Sequence, residues 1–152
     1  MTTFELDKWT IRQLIQYIER TRLDIRPPYQ RQRRWSNAMR YALIDSVLKG
    51  YPMGVLLLDV IATDEHGNPR RLHNYATVDG QQRTATLVEY VTGSSDWTTG
   101  TPPRGVEYTP YGELEQAQQD MVDDYKVPVA LLTGYSEESI REIFRRVQYE
   151  KL

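Results

Sequence analysis

The sequence has no cysteine. That excludes disulfides, thiolate metal sites and cysteine nucleophiles, and it fits a reducing cytoplasmic location. It has no run of about 18 apolar residues, so no membrane-spanning helix is expected. The opening residues, MTTFELDKWT, carry acids and lack the apolar segment of a secretory signal. Histidine is scarce: His66 falls in turn chemistry and His73 on an expected strand, and neither has the spacing of a metal ligand. Lysine is scarce as well, with 4 against 15 arginines. Arginine's planar fork suits bidentate contact with phosphate or carboxylate better than lysine's ammonium does.

What remains is globular: 152 residues, 39% hydrophobic and 26% charged, enough for one core and a single domain over 1–152. A net charge of -2 excludes a generic polycation, but the charge is uneven. Arg20, Arg22, Arg26, Arg31, Arg33, Arg34 and Arg40 are accompanied only by Asp24, whereas 111–124 holds Glu113, Glu115, Asp120, Asp123 and Asp124 and no base. The plain reading is a solvated surface with ion pairs between the two segments.

Thr10 and Gln13 form a capping-box pair, and Ile11, Leu14, Ile15 and Ile18 recur at helical spacing. Leu23 to Ile25 can be a short strand. Pro27 and Pro28 force an extended segment. Ser36 can cap a second helix, with Ala38, Ala42, Leu43 and Val47 on its buried side and Gly50 as its stop. Residues 54–61 and 72–78 read as strands of a hairpin about the turn 64–69. Residues 81–92 read as a helix that buries Ala85, Leu87, Val88 and Val91 and stops at Gly93. The stretch 93–110 is rich in Gly, Pro, Ser and Thr, and is long enough to be functional or mobile. A mostly polar helix is expected over 114–122, with Asp123 and Asp124 as its solvated end. A strand follows over 125–132, placed at an edge or bulge by Pro128. Ser136 caps a last helix containing Ile140, Ile143, Phe144 and Val147. The mixed order predicts an α+β fold, a small mixed sheet packed with helices.

The sharpest motif is Val78-Asp79-Gly80-Gln81-Gln82-Arg83, between a strand and a helix. Backbone N–H groups at a helix start favour an anion, and Gly80 permits close approach of a ligand. Gln81 and Gln82 offer amides, and Arg83 offers a fork for phosphate. Asp79 could hold a metal through water or orient an attacking water. Asp79 and Gln82 are also a capping pair, so a structural role stands beside the chemical one. A second motif, Pro28-Tyr29-Gln30-Arg31 followed by Arg33, Arg34 and Trp35, interleaves aromatic and basic residues as nucleotide or nucleic-acid sites do. The alternative is that Tyr29 and Trp35 pack on the core. A third, Phe144-Arg145-Arg146-Val147-Gln148, combines core positions with two arginines.

Taken in order, PPYQRQRRWS, LIDSVLKGYPMG, VDGQQRTATL and IFRRVQ resemble the N-terminal domain of GmrSD-type type IV restriction enzymes, which is similar to a domain of SspE and related to the ParB/sulfiredoxin fold. The resemblance covers about residues 10–149. It implies an NTP-handling domain whose DGQQR hydrolysis motif is Asp79, Gly80, Gln81, Gln82 and Arg83. It implies GTP or ATP with Mg²⁺, the metal at Asp79, and catalytic roles for Asp79, Gln82 and Arg83. Gly80, Gln81, Tyr29, Gln30, Arg31 and Arg146 would bind nucleotide. Gln148 stands where the family usually has asparagine. Lack of cysteine removes sulfiredoxin-type redox chemistry. No HNH-like histidine cluster is present, so a nuclease domain or subunit is expected elsewhere, this chain being a fragment or a stand-alone version. The expected function is nucleotide binding and hydrolysis in a modification-dependent restriction or phage-defence system, acting with DNA that can be modified. The alternative is a non-catalytic DNA-binding or partner-binding module that uses the basic segment from Arg20 to Arg40, with Arg33, Arg34 and Trp35 on DNA.

Overall fold

The computed structural model describes residues 2–25 and 35–150. The chain forms β1 (Thr3–Thr10), α1 (Ile11–Glu19), β2 (Leu23–Asp24), α2 (Asn37–Leu48), β3 (Leu56–Thr63) and β4 (Pro69–Asp79), then α3 (Gln81–Thr92), α4 (Gln116–Asp123), β5 (Lys126–Thr133) and α5 (Glu137–Glu150). Short 3-10 turns occupy Asp96–Thr99 and Tyr111–Glu113. This is the expected α+β class. No helix among the described residues is long and apolar enough to cross a membrane.

The five strands form one sheet in the order β1-β5-β3-β4-β2. β1 pairs antiparallel with β5, β5 parallel with β3, β3 antiparallel with β4, and β4 parallel with β2. Strand alternation divides the core between the two faces. Leu56, Leu58, Val127 and Val129 join Trp9, Leu14, Ile44 and Leu87 in the larger cluster. Val78 and Leu132 join Ile140 and Phe144 of α5 in the smaller one.

The local signals explain most element ends. Thr10 Oγ1 accepts the Gln13 amide at 3.0 Å while Gln13 Oε1 accepts the Thr10 amide at 2.9 Å, a reciprocal cap that starts α1. Ser36 Oγ accepts the Met39 amide at 3.3 Å and Ser139 donates its amide to Ser136 Oγ at 3.1 Å. Asp64 Oδ1 collects the amides of His66 and Asn68, both at 2.9 Å, and so closes the β3–β4 hairpin.

Several expectations are corrected. The sequence pattern does not predict β1. Of its eight residues only Trp9 is buried, so it lacks a clear apolar alternation. α2 buries Tyr41, Leu43, Ile44 and Val47, while Ala38 and Ala42 are exposed. α3 buries Thr84, Thr86, Leu87 and Tyr90 in place of Ala85, Val88 and Val91. Its threonines hide their hydroxyls by donating to carbonyls one turn back: Thr84 Oγ1 to Gly80 at 2.9 Å and Thr86 Oγ1 to Gln82 at 2.7 Å. Pro128 lies in an internal strand. It opposes Lys8 of β1, but pairing with β3 begins only at Val129, so the missing N–H leaves that ladder intact.

The 93–110 stretch is tied down by tyrosines. Tyr90 donates to the Thr109 carbonyl and Tyr108 to the Thr98 carbonyl, each at 2.6 Å, and the buried Tyr41 hydroxyl donates to the Trp97 carbonyl. Trp97 and Thr98 are buried. Burial raises the Tyr108 hydroxyl to about 12, so these donors stay protonated across the neutral range. The Asp123–Asp124 pair is likewise engaged: Arg12 reaches both, at 3.6 and 2.9 Å, and Tyr111 donates to Asp123 at 2.8 Å.

Candidate functional site

The end of β4 is shaped by an irregularity. Leu58 opposes Thr77, yet the next residue, Leu57, opposes Asp79, so β4 carries an extra residue at Val78. Two successive residues are thereby directed to the α5 side of the sheet. Val78 packs in the Ile140–Phe144 cluster and Asp79 meets Gln148 of α5. Gly80 follows with φ 103 and is the N-cap of α3, with no side-chain cap hydrogen bond. A Cβ at Gly80 would press on Leu56 Cδ2, so glycine is required both by conformation and by space. This corrects the capping alternative for Asp79 and Gln82. The carboxylate of Asp79 is used elsewhere.

Asp79 is 4% exposed. Its Oδ1 accepts from Gln148 Nε2 at 2.9 Å and its Oδ2 accepts from Arg83 Nη2 at 3.2 Å. Arg83 lies one helical turn after Asp79, and the same Nη2 donates to the Val55 carbonyl at 2.9 Å. Gly54 makes room for the guanidinium, because a Cβ there would collide with Nη1. Arg83 Nε is buried without a hydrogen-bond partner among the described residues. The arginine thus clamps three segments: the start of β3, the end of β4 and the first turn of α3. It carries a structural load as well as any role toward phosphate.

The structure brings together Asp79, Gly80, Gln81, Gln82 and Arg83 at one turn, with Gln81 and Gln82 half-buried. Arg146 is not part of this cluster. It pairs with Glu142 at 3.0 Å, with 77% of its side chain exposed. Trp35 is half-buried against the larger core. Tyr29, Gln30, Arg31, Arg33 and Arg34 lie outside the described residues. Arg22 is spent on the fold: it donates to the His73 carbonyl at 2.7 Å and its guanidinium lies 4.6 Å from the Tyr17 ring centre. Arg40 donates to Asn37 at 2.8 Å.

Sequence reasoning missed Gly54, the Val55 carbonyl and the use made of Gln148. Gly54 had a local signal, a glycine two residues after Pro52 at the start of an apolar strand. Gln148 was marked only by the resemblance, as standing where asparagine is usual; its partner, 69 residues away, left no local signal. Among the described residues no three His, Cys, Asp or Glu side chains come together as a metal site. A magnesium ion is commonly held by one or two carboxylates plus phosphate oxygens, and Asp79 is a donor of that type.

A family model described as GmrSD restriction endonuclease, N-terminal domain, matches residues 11–151. No curated protein matches the chain.

Proposed function

The chain belongs to the GmrSD restriction endonuclease N-terminal domain family, a component of restriction systems, and on that premise we propose that it binds and hydrolyses a nucleoside triphosphate at the β4–α3 turn. The observation that carries the reading is the arrangement of Asp79, Gly80 and Arg83. A buried carboxylate ends a strand, a left-handed glycine follows, and a helix begins without a side-chain cap. The unsatisfied amides of a helix's first turn suit phosphate oxygens.

In this reading the backbone amides around Gln81 and Gln82 receive the phosphates, and the Gln82 side chain orients the terminal group. Arg83, fixed by Asp79 and Val55, presents positive charge beside them. Asp79 accepts a proton-bearing water and aligns it, while Gln148 and Arg83 hold the carboxylate's orientation. Mg²⁺, when bound, would be held by Asp79 and would neutralise phosphate charge. Tyr29, Gln30 and Arg31 would complete the nucleotide pocket, and Arg146 would supply a more distant cation. Modified DNA and an HNH-type nuclease domain or subunit are the partners this role calls for.

The test is calorimetric binding of ATP, GTP, CTP and UTP, with and without Mg²⁺, to wild type, Gln82→Ala and Arg83→Ala, with circular dichroism to verify folding. Micromolar binding weakened at least tenfold in folded Gln82→Ala supports the phosphates at this turn. Unchanged affinity in that variant rejects the placement, and no binding of any nucleotide rejects the function for this chain.

A further inference from the structure

α5 packs on the sheet through Ile140 and Phe144, and none of its residues after Phe144 is buried. Its charged side chains pair within the helix, Arg141 with Glu137, and Arg145 and Arg146 with Glu142. Apart from the Ser136 cap, a single side-chain hydrogen bond among the described residues leaves this helix for the rest of the domain. It runs from Gln148 Nε2 to Asp79 Oδ1 at 2.9 Å. The last turn of α5 is therefore held by that bond and by the half-buried Val147. A segment with so few buried contacts opens more readily than the core does. The carboxylate at the other end of the bond is the buried group of the β4–α3 turn. Its Oδ2 is fixed by Arg83, which is itself anchored on the Val55 carbonyl. The one polar tie of α5 thus ends on the residue at the centre of the candidate site.

We propose that the end of α5 regulates the nucleotide site: the turn docked through Gln148 is the state that binds nucleotide, and bound nucleotide in turn holds the turn docked. The inference rests on the nucleotide reading above and adds its regulation. When the turn opens, Oδ1 loses this donor and the carboxylate is less firmly oriented. A ligand that uses the oriented carboxylate, through water or through Mg²⁺, binds the docked fraction, and its apparent affinity falls in proportion to that fraction. Linkage makes the effect reciprocal, so nucleotide protects the turn from opening as far as docking improves nucleotide affinity. Whatever pulls residues 147–150 away from the sheet lowers nucleotide affinity without touching the β4–α3 turn.

The experiment is hydrogen–deuterium exchange of the amides of residues 146–150, with and without Mg²⁺ and saturating ATP, GTP, CTP or UTP, on wild type and on Gln148→Leu. Leucine keeps the helix propensity of glutamine and removes the donor. In wild type the bound nucleotide is expected to slow exchange at 146–150 by about threefold or more. Gln148→Leu is expected to bind the same nucleotide several-fold more weakly, and to exchange there at a fast rate that saturation does not change. The wild-type measurement does not depend on the variant folding. Unchanged exchange at 146–150 in wild type saturated with nucleotide overturns the proposal and leaves the nucleotide reading standing. Equal protection in folded Gln148→Leu also overturns it, because the coupling would then run by another route. Binding of no nucleotide rejects the nucleotide reading and this inference with it.

Discussion

Gln148 on the last helix donates to Asp79 at the end of β4 at 2.9 Å. The bond joins the α5 layer to the turn that begins α3. A hydrogen bond to a buried charged group typically stabilises by about 1.5–3 kcal/mol. Gln148→Ala is therefore expected to lose about that much in urea denaturation. Gln148→Glu brings a second carboxylate to Asp79 and is expected to be more damaging at pH 7 than at pH 4. Stability of Gln148→Ala equal to wild type would show the bond to be incidental.

Gly54 and Arg83 are coupled by space. Any side chain at 54 meets the guanidinium, so Gly54→Ala must move Arg83 off Val55 and Asp79. Overpacking of this kind costs about 1–3 kcal/mol. Gly112→Ala is the control. Among the described residues no atom beyond its chain neighbours lies within 4 Å of its added Cβ, and it is expected to change stability by less than about 0.5 kcal/mol. Thermal melts of the two variants read the contrast directly.

The Asp79–Arg83 pair is buried, with side-chain exposures of 5% and 16%. Removing one partner leaves a buried charge, typically a loss of about 3–5 kcal/mol. The double variant Asp79→Asn/Arg83→Met is expected to be destabilised by less than the sum of the losses in Asp79→Asn and Arg83→Met. A double-mutant cycle should give a coupling of at least about 1 kcal/mol. Strict additivity would show that the two side chains do not depend on each other.

Asp59, on β3, has its carboxyl pushed up to about 6 by burial. The folded state therefore holds this proton more tightly than the unfolded chain does. The associated stability is fully present below the unfolded value of 3.8 and is lost as pH rises through about 6. Asp59→Asn is expected to raise the melting temperature by a few degrees at pH 7.5 and to leave it near wild type at pH 3.5. A gain of equal size at both pH values would assign the effect to something other than ionisation.

Tyr108 pins the 93–110 segment through the Thr98 carbonyl, and Arg104 lies exposed within that segment. Tyr108→Phe removes the bond at a cost of about 1 kcal/mol. Limited trypsin digestion is expected to cut after Arg104 several-fold faster in the variant. An unchanged rate would mean that the neighbouring tyrosines hold the segment without it.

Features governed by near neighbours in the chain were legible in the sequence. The Thr10–Gln13 box, the Ser36 cap, the Asp64 turn and the Gly93 stop each involve groups within a few residues of one another. The strand–turn–helix setting of Asp79 to Arg83 was legible for the same reason. What escaped depends on partners far along the chain. β1 is mostly exposed and is held by its pairing with β5 and by the one buried residue, Trp9. The inward face of α3 was misassigned because hydrophobicity does not register a threonine whose hydroxyl is satisfied by its own helix. The extra residue at Val78, which turns Asp79 toward α5, is a matter of register and leaves no compositional trace.

The strand order also governs how synthesis and folding are coupled. Among the described residues β1 pairs only with β5, which follows the other four strands of the sheet in the chain and also flanks β3. A nascent chain that has reached α4 can form the β3–β4 hairpin and its helices but holds β1 without a partner. The β1 side of the sheet stays open until β5 inserts between β1 and β3. Such long-range closure slows folding and prolongs exposure of strand edges during translation. Gln148 emerges later still, so Asp79 Oδ1 gains this donor only after β5 has been made, whereas Arg83, the partner of Oδ2, is made four residues after Asp79.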